Sequence, residues 1–140
     1  MVESGWSLHP QLEADTVIVG DLALSRLLLA TDANYPWTIL VPRRAGLTEI
    51  IDLDAAAQAQ LLGEIDGTAR ALKAITACDK LNIAALGNAV SQLHVHVIAR
   101  RHGDVAWPKP VWGAASPAAY SDERRDALLG ALRGALGIAV

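Results

Sequence analysis

The sequence predicts an α+β fold: a five-stranded, largely antiparallel sheet with a long helix packed on it and an extra helix at the C-terminus. Three observations lead there. Short runs rich in Val, Ile and Leu alternate with turn residues, a helical-period apolar stripe occupies residues 54–77, and a capped helix pattern closes the chain. The 140 residues, 52% hydrophobic and 19% charged, suffice for one domain with a real core. We place that core at about residues 16–101, with a C-terminal loop and helix over 102–140.

The elements follow in order. "TVIVGDL" (Thr16–Leu22) is a β-branched strand, and "SRLLLAT" (Ser25–Thr31) pairs with it across a short turn. "DANYP" (Asp32–Pro36) is turn chemistry, and "WTILVP" (Trp37–Pro42) is a third strand ended by proline. The long helix spans about Asp54–Ala77, with Asp52 or Asp54 as its cap. Leu61, Leu62, Ile65, Ala69, Leu72 and Ile75 form its inward stripe. "KLNIAALG" (Lys80–Gly87) and "QLHVHVIAR" (Gln92–Arg100) are the fourth and fifth strands, joined closely enough for an antiparallel hairpin. "AWPKPVWGAASP" is a loop because of its prolines. Ser121 then caps a helix to Leu136, with Asp122 and Glu123 complementing the positive end of its dipole.

Several function classes are disfavoured by composition. A net charge of −3 argues against general nucleic-acid binding through a basic surface, while leaving room for a local phosphate pocket. Cys78 is the single cysteine, so no intrachain disulfide and no cysteine zinc cluster can form. "MVESGWSLHPQLEAD" lacks the pattern of a signal peptide, and no apolar run is long enough to span a bilayer, so a cytoplasmic location is expected. The four Trp (Trp6, Trp37, Trp107, Trp112) either pack the fold or wall a site for a flat ring.

The segment with most chemistry is "QLHVHVIAR". In a strand, Gln92, His94 and His96 share one face while Leu93, Val95 and Val97 face the other way, toward the long helix. The two imidazoles then stand roughly 7 Å apart along the strand. Three readings fit: polar residues on a solvated face, two ligands of a metal that would need more, or nucleophilic catalysis at phosphorus. An imidazole with an ordinary pKa near 6.5 is largely neutral at pH 7, and a second one alongside can bind the phosphate or protonate the leaving group.

Gln92-Leu93-His94-Val95-His96-Val97-Ile98 resembles the signature of the histidine-triad (HIT) superfamily, His-φ-His-φ-His-φ-φ with φ apolar. The order of elements over Thr16–Arg101, and the strand "ILVPRR" ending in Pro before a basic residue, are also similar to that superfamily. The sequence has Gln92 at the first triad position, as a bacterial HIT protein of a variant type. The resemblance implies a nucleotide hydrolase or nucleotidyl transferase acting on a phosphoanhydride or phosphoramidate. His94 is then the nucleophile that forms a covalent nucleotidyl-histidine, His96 binds phosphate or donates a proton, and Gln92 supports them. The family's orienting bond from the nucleophilic ring to a backbone carbonyl near the first position would survive Gln92, which cannot itself carry a proton at neutral pH.

The same resemblance offers Asn88 as a phosphate contact, against a solvated-loop reading, and Asp32 or Asn34 as the ribose contact. Trp107, in the loop with Trp112, either forms a base platform or packs against the sheet. Arg43, Arg44, Arg100 and Arg101 either steer a polyphosphate or are simply solvated. No cofactor and no catalytic metal are called for, and a homodimer joined at sheet edges is implied. The rival functions are a non-catalytic nucleotide-binding module and a metal-binding protein using the His pair. The nucleobase, the length of the phosphate chain and the role of the last helix are not legible.

Overall fold

The computed structural model describes residues 5–139; the first four residues of the N-terminal segment discussed above lie outside the described residues. A short helix α1 (Pro10–Ala14) leads into strands β1 (Thr16–Asp21), β2 (Ser25–Ala30) and β3 (Trp37–Pro42). Helix α2 (Ala55–Thr76), strands β4 (Lys80–Ala84) and β5 (Val95–Arg100), and helix α3 (Asp122–Leu136) follow. All neighbouring strands run antiparallel, in the order β1-β2-β3-β5-β4. The expected α+β architecture is present, with its long helix and its additional C-terminal helix.

Alternation sorts the strands' side chains between two faces. Leu27, Leu29, Leu40, Val95 and Val97 pack with Leu61 and Leu72 of α2 and Leu129 and Leu132 of α3. On the other face Leu28, Ile39 and Val41 pack with Leu12 of α1, while Tyr35 and Ile98 pack with Ala106 and Val111 of the loop before α3. That second face is therefore covered by α1 and the loop rather than open to solvent. Helix α1 was not anticipated from the sequence; His9 caps it, its Nδ1 accepting from the Gln11 N–H at 3.0 Å, and Pro10 is its first residue.

Asp54 caps α2 by accepting from the Ala57 N–H, whereas Asp52 accepts from the N–H groups of Thr48 and Glu49 in the turn just before it. The inward stripe of α2 differs from the apolar pattern in one respect. Leu62 is 66% exposed, and the buried set includes Glu64 and Thr68. The Glu64 carboxylate accepts from the backbone N–H groups of Leu24 (2.8 Å) and Ser25 (2.9 Å). A buried charge thus satisfies the β1–β2 turn, at a position where a period count registers only a polar interruption.

The fourth strand ends at Ala84 instead of Gly87, and the fifth begins at Val95 instead of Gln92. For β5 the reason is in part a contact distant in sequence. The Leu93 N–H bonds to the Leu47 carbonyl and the Gln92 carbonyl is taken by the His94 ring, so neither group serves the ladder.

Three of the four arginines read as steering a polyphosphate or as solvated are instead used by the fold. Arg43 bonds to the carbonyls of Leu22 and Ala23. Arg100, 1% exposed, makes a two-pronged ion pair with Asp104 and also bonds to Asn82 and the Lys109 carbonyl. Arg101 bonds to the Thr76 carbonyl at the end of α2. At the far edge, the β1–β2 register slips between Ile18 and Gly20, and Arg133 of α3 donates to the carbonyls of Ile18 and Val19 beside that bulge. Gly20 is required there by space, since a Cβ would lie 2.2 Å from Cγ2 of Ile138.

Candidate active site

His94 is the last residue before β5 and His96 is its second, and both point to the face covered by α1 and the loop. Their rings are 5.0 Å apart between centroids, and only 6% and 5% of each residue is exposed. The His94 Nδ1 lies 2.6 Å from the Gln92 carbonyl oxygen. A carbonyl only accepts, so Nδ1 carries the proton and Nε2 carries the lone pair. Gly87 backs onto this ring: a Cβ there would reach 4.0 Å from His94 Cε1 and 3.0 Å from the Val90 carbonyl oxygen.

His96 has the opposite tautomer. The indole N–H of Trp37 donates to His96 Nδ1 at 2.9 Å, and an indole can only donate, so the His96 proton sits on Nε2. Burial, reinforced by the neighbouring His94, lowers the His96 pKa to about 4 against the partial opposition of the Leu86 backbone. Protonating the ring would also set an Nδ1–H against the Trp37 N–H. His96 is neutral at pH 7 and offers one fixed donor.

Beside the two rings lies a cavity of about 480 Å³. Trp37, Trp112, Leu12, Ile39 and Pro117 supply its apolar walls, and Gln11, Asp15, Thr31, Asp32 and Asn88 its polar groups. Trp112 stands edge-on to His96 at 5.0 Å and to Trp37 at 5.9 Å. A second, smaller hollow of about 280 Å³ touches His94 from another side and is bounded by Thr48, Glu49, Asn88, Ser91 and Gln92. An aromatic-walled cavity ending on one imidazole lone pair and one fixed N–H donor suits a flat ring carrying a phosphate.

Of the residues singled out from sequence, His94, His96, Asn88 and Asp32 line the main cavity. Asp32 does so while its Oδ1 accepts from the N–H groups of Asn34 and Ala118. Asn34 does not line it; its amide donates to the Ser116 carbonyl and ties down the loop. Trp107 does not line it either. Its ring sits 5.5 Å from the Arg100 guanidinium and 4.8 Å from His102, drawn there because Asp104 binds both Arg100 and the Trp107 N–H. The Gln92 side chain is turned away to the N-terminal segment, bonding Ser7 and His9.

Trp37 and Trp112, two of the four Trp read as packing or as walls for a flat ring, line the cavity, whereas sequence reasoning missed the α1 residues Gln11 and Leu12, together with Asp15 at the end of that helix. The excess of Trp was the available signal, though it gave no means of choosing among the four. Among the described residues, no group of three or more His, Cys, Asp or Glu side chains is placed to hold a metal ion. None of the described helices is long and apolar enough to cross a membrane.

The HIT domain family model matches residues 11–103. A histidine triad protein from Bradyrhizobium japonicum is similar at 59% identity and a TM-score of 0.92, over 94% of this chain and 98% of its own. Histidine triad proteins from Sinorhizobium meliloti and Marinobacter aquaeolei are each 41% identical, with TM-scores of 0.92 and 0.91. These matches cover 95% and 96% of this chain, and 98% of each of the others. A search of curated proteins finds no match.

Proposed function

The chain belongs to the histidine-triad (HIT) family, a bacterial member with Gln at the first triad position, and from that premise we propose that it cleaves a nucleotide phosphoanhydride through a nucleotidyl-His94. The family as a whole comprises nucleotide-binding proteins, hydrolases and transferases. The observation that carries the finer reading is the His94 Nδ1–Gln92 carbonyl contact, which leaves the Nε2 lone pair available beside the cavity.

In the proposed reaction His94 Nε2 forms a bond to the α-phosphorus while the bond from phosphorus to the leaving oxygen breaks. The positive charge that develops on the ring is stabilised through Nδ1–H on the Gln92 carbonyl. His96 donates Nε2–H to a phosphoryl oxygen, and Asn88 positions the phosphate. Asp32 binds the ribose and the tryptophan walls hold the base. Water then attacks the phosphorus, the P–N bond breaks, its electron pair returns to Nε2, and one proton leaves to solvent.

His96 acts here as a hydrogen-bond donor rather than an acid, because Trp37 occupies Nδ1 with a donor. Gln92 carries no titratable proton. A phosphate leaving group departs as an anion and needs no proton, whereas an amine does, so phosphoanhydrides are favoured over phosphoramidates. Residues 1–140 are taken as one domain, working in the cytoplasm as a homodimer joined at a sheet edge. β4 is one such edge and its Ile83 is 50% exposed; light scattering tests the dimer.

Mass spectrometry after incubation with a dinucleoside polyphosphate tests the chemistry. We expect an adduct of one nucleoside monophosphate on the peptide carrying His94, and none in a folded His94→Ala variant, whose turnover falls by at least about a thousandfold. Turnover by His94→Ala at the wild-type rate would sink the mechanism. Faster cleavage of a nucleoside phosphoramidate than of the anhydride would overturn the preference. Nucleotide binding without any adduct would instead favour the non-catalytic binding module.

A further inference from the structure

The Gln92 side chain is not directed at His94 or His96. Its Oε1 accepts from the His9 N–H at 2.9 Å and its Nε2 donates to the Ser7 carbonyl at 2.9 Å. The amide orientation is set by the partners, since one can only donate and the other can only accept. One primary amide thereby grips the main chain on both sides of Leu8, just where the chain turns into α1. Leu8 and Trp6 pack with Leu12 in the apolar cluster on that face of the sheet.

Helix α1 is held at its other end by the sheet: Thr16 Oγ1 bonds to the Leu12 carbonyl and the Thr31 N–H to the Asp15 carbonyl. Of the α1 side of the cavity wall, Leu12 and Asp15 belong to this second anchor and Gln11 lies between it and the Gln92 grip. A histidine at position 92 cannot reproduce the grip. Its two nitrogens point in diverging directions across a rigid ring, whereas an amide presents its donor and acceptor side by side.

We propose that Gln92 is a positioning residue that clamps residues 7–9, fixes the α1 wall of the cavity, and thereby sets affinity for the nucleoside end of the substrate. On this account the first triad position has exchanged work on the phosphate for work on the substrate pocket. The ligand part of the inference rests on the nucleotide reading above; the clamp itself does not.

The test compares the wild-type protein with Gln92→Met, which keeps the chain length and loses both bonds, and with Gln92→His. Hydrogen exchange is followed in peptides covering residues 6–15, with sheet peptides as the folding control. AMP and GMP binding is read from tryptophan fluorescence, and kcat and KM are measured on a dinucleoside polyphosphate. In Gln92→Met we expect about tenfold faster exchange in residues 6–15 with the sheet unchanged, a fold-change equivalent to about 1.4 kcal/mol. Nucleotide Kd and KM rise about tenfold and kcat moves less than about twofold. Gln92→His shows the same direction in every measure.

Wild-type exchange in Gln92→Met overturns the clamp. Faster exchange with unchanged Kd and KM overturns its role in affinity, as does a loss confined to kcat. Gln92→His matching the wild-type protein throughout overturns the requirement for an amide. A wild-type protein that binds none of these nucleotides sinks the functional reading and the affinity part together, and the exchange data still decide the clamp.

Discussion

His94 and His96 are the same residue type two positions apart, and their surroundings give them opposite tautomers. A carbonyl fixes the proton of His94 on Nδ1, and an indole N–H excludes it from Nδ1 of His96. The His96 pKa of about 4 has a consequence for stability. An unfolded chain protonates this ring near pH 6.5 and the folded chain near 4, so between those values the unfolded state binds more protons. Above pH 6.5 both states are neutral and the ring has no effect; as the pH falls to 4 the folded state loses stability, and the loss then levels off. We expect a penalty on the order of 2–3 kcal/mol across that window. Urea unfolding at several pH values should show it, and His96→Gln should remove it. A pH dependence over 4–6.5 that is identical in His96→Gln would contradict the assignment. Trp37→Phe, which removes the opposing donor, should raise the His96 pKa in an NMR titration.

At the scale of elements, α2 ends on a residue whose conformation its side chain resists. Ala77, the C-cap, has φ 50° and ψ 39°, in the left-handed region that glycine occupies without penalty, while its N–H bonds to the Lys73 carbonyl. Ala77 is exposed, so substitution there changes backbone preference and little packing. Ala77→Gly should stabilise the protein by about 1 kcal/mol, read as a rise of roughly 3 °C in Tm. A fall in Tm would show that unfolded-chain entropy outweighs the relieved strain. Helices α2 and α3, their caps and the third strand were legible because their signals are local: Asp54 before α2, Ser121 before α3, and proline at Pro42. The start of β5 was not legible. Leu93 and His94 look like strand residues, yet their hydrogen-bond partners are Leu47, distant in sequence, and the Gln92 carbonyl. Glu64 illustrates the same limit, since its meaning depends on two N–H groups about forty residues away ().

Across the whole molecule, the last helix is tied to the first strand. Arg133 donates to Val19 at 2.8 Å and to Ile18 at 3.2 Å, beside a bulge in the edge strand. Charge-assisted bonds of this kind contribute more than neutral ones. Arg133→Met should cost about 1–2 kcal/mol in urea unfolding and speed hydrogen exchange in both β1 and α3. Exchange that changes in α3 alone would show that the helix does not support the edge.

The sequence by itself determined the architecture and the family signature. Alternation in β5, the helical stripe of α2 and the His-Val-His spacing are properties of neighbouring residues, and each carries its own physical signal. The identity of the pocket was decided only by the tertiary structure. Which tryptophans wall it, which arginines are spent on carbonyls, and which segment Gln92 grips depend on groups brought together from distant parts of the chain. Trp37 reaches His96 across adjacent strands, Trp112 arrives on a loop, and Gln92 meets Ser7 and His9 from the other end of the sequence. A hydrogen bond has direction and a reach of about 3 Å, so its partner is fixed by the fold and not by composition or spacing.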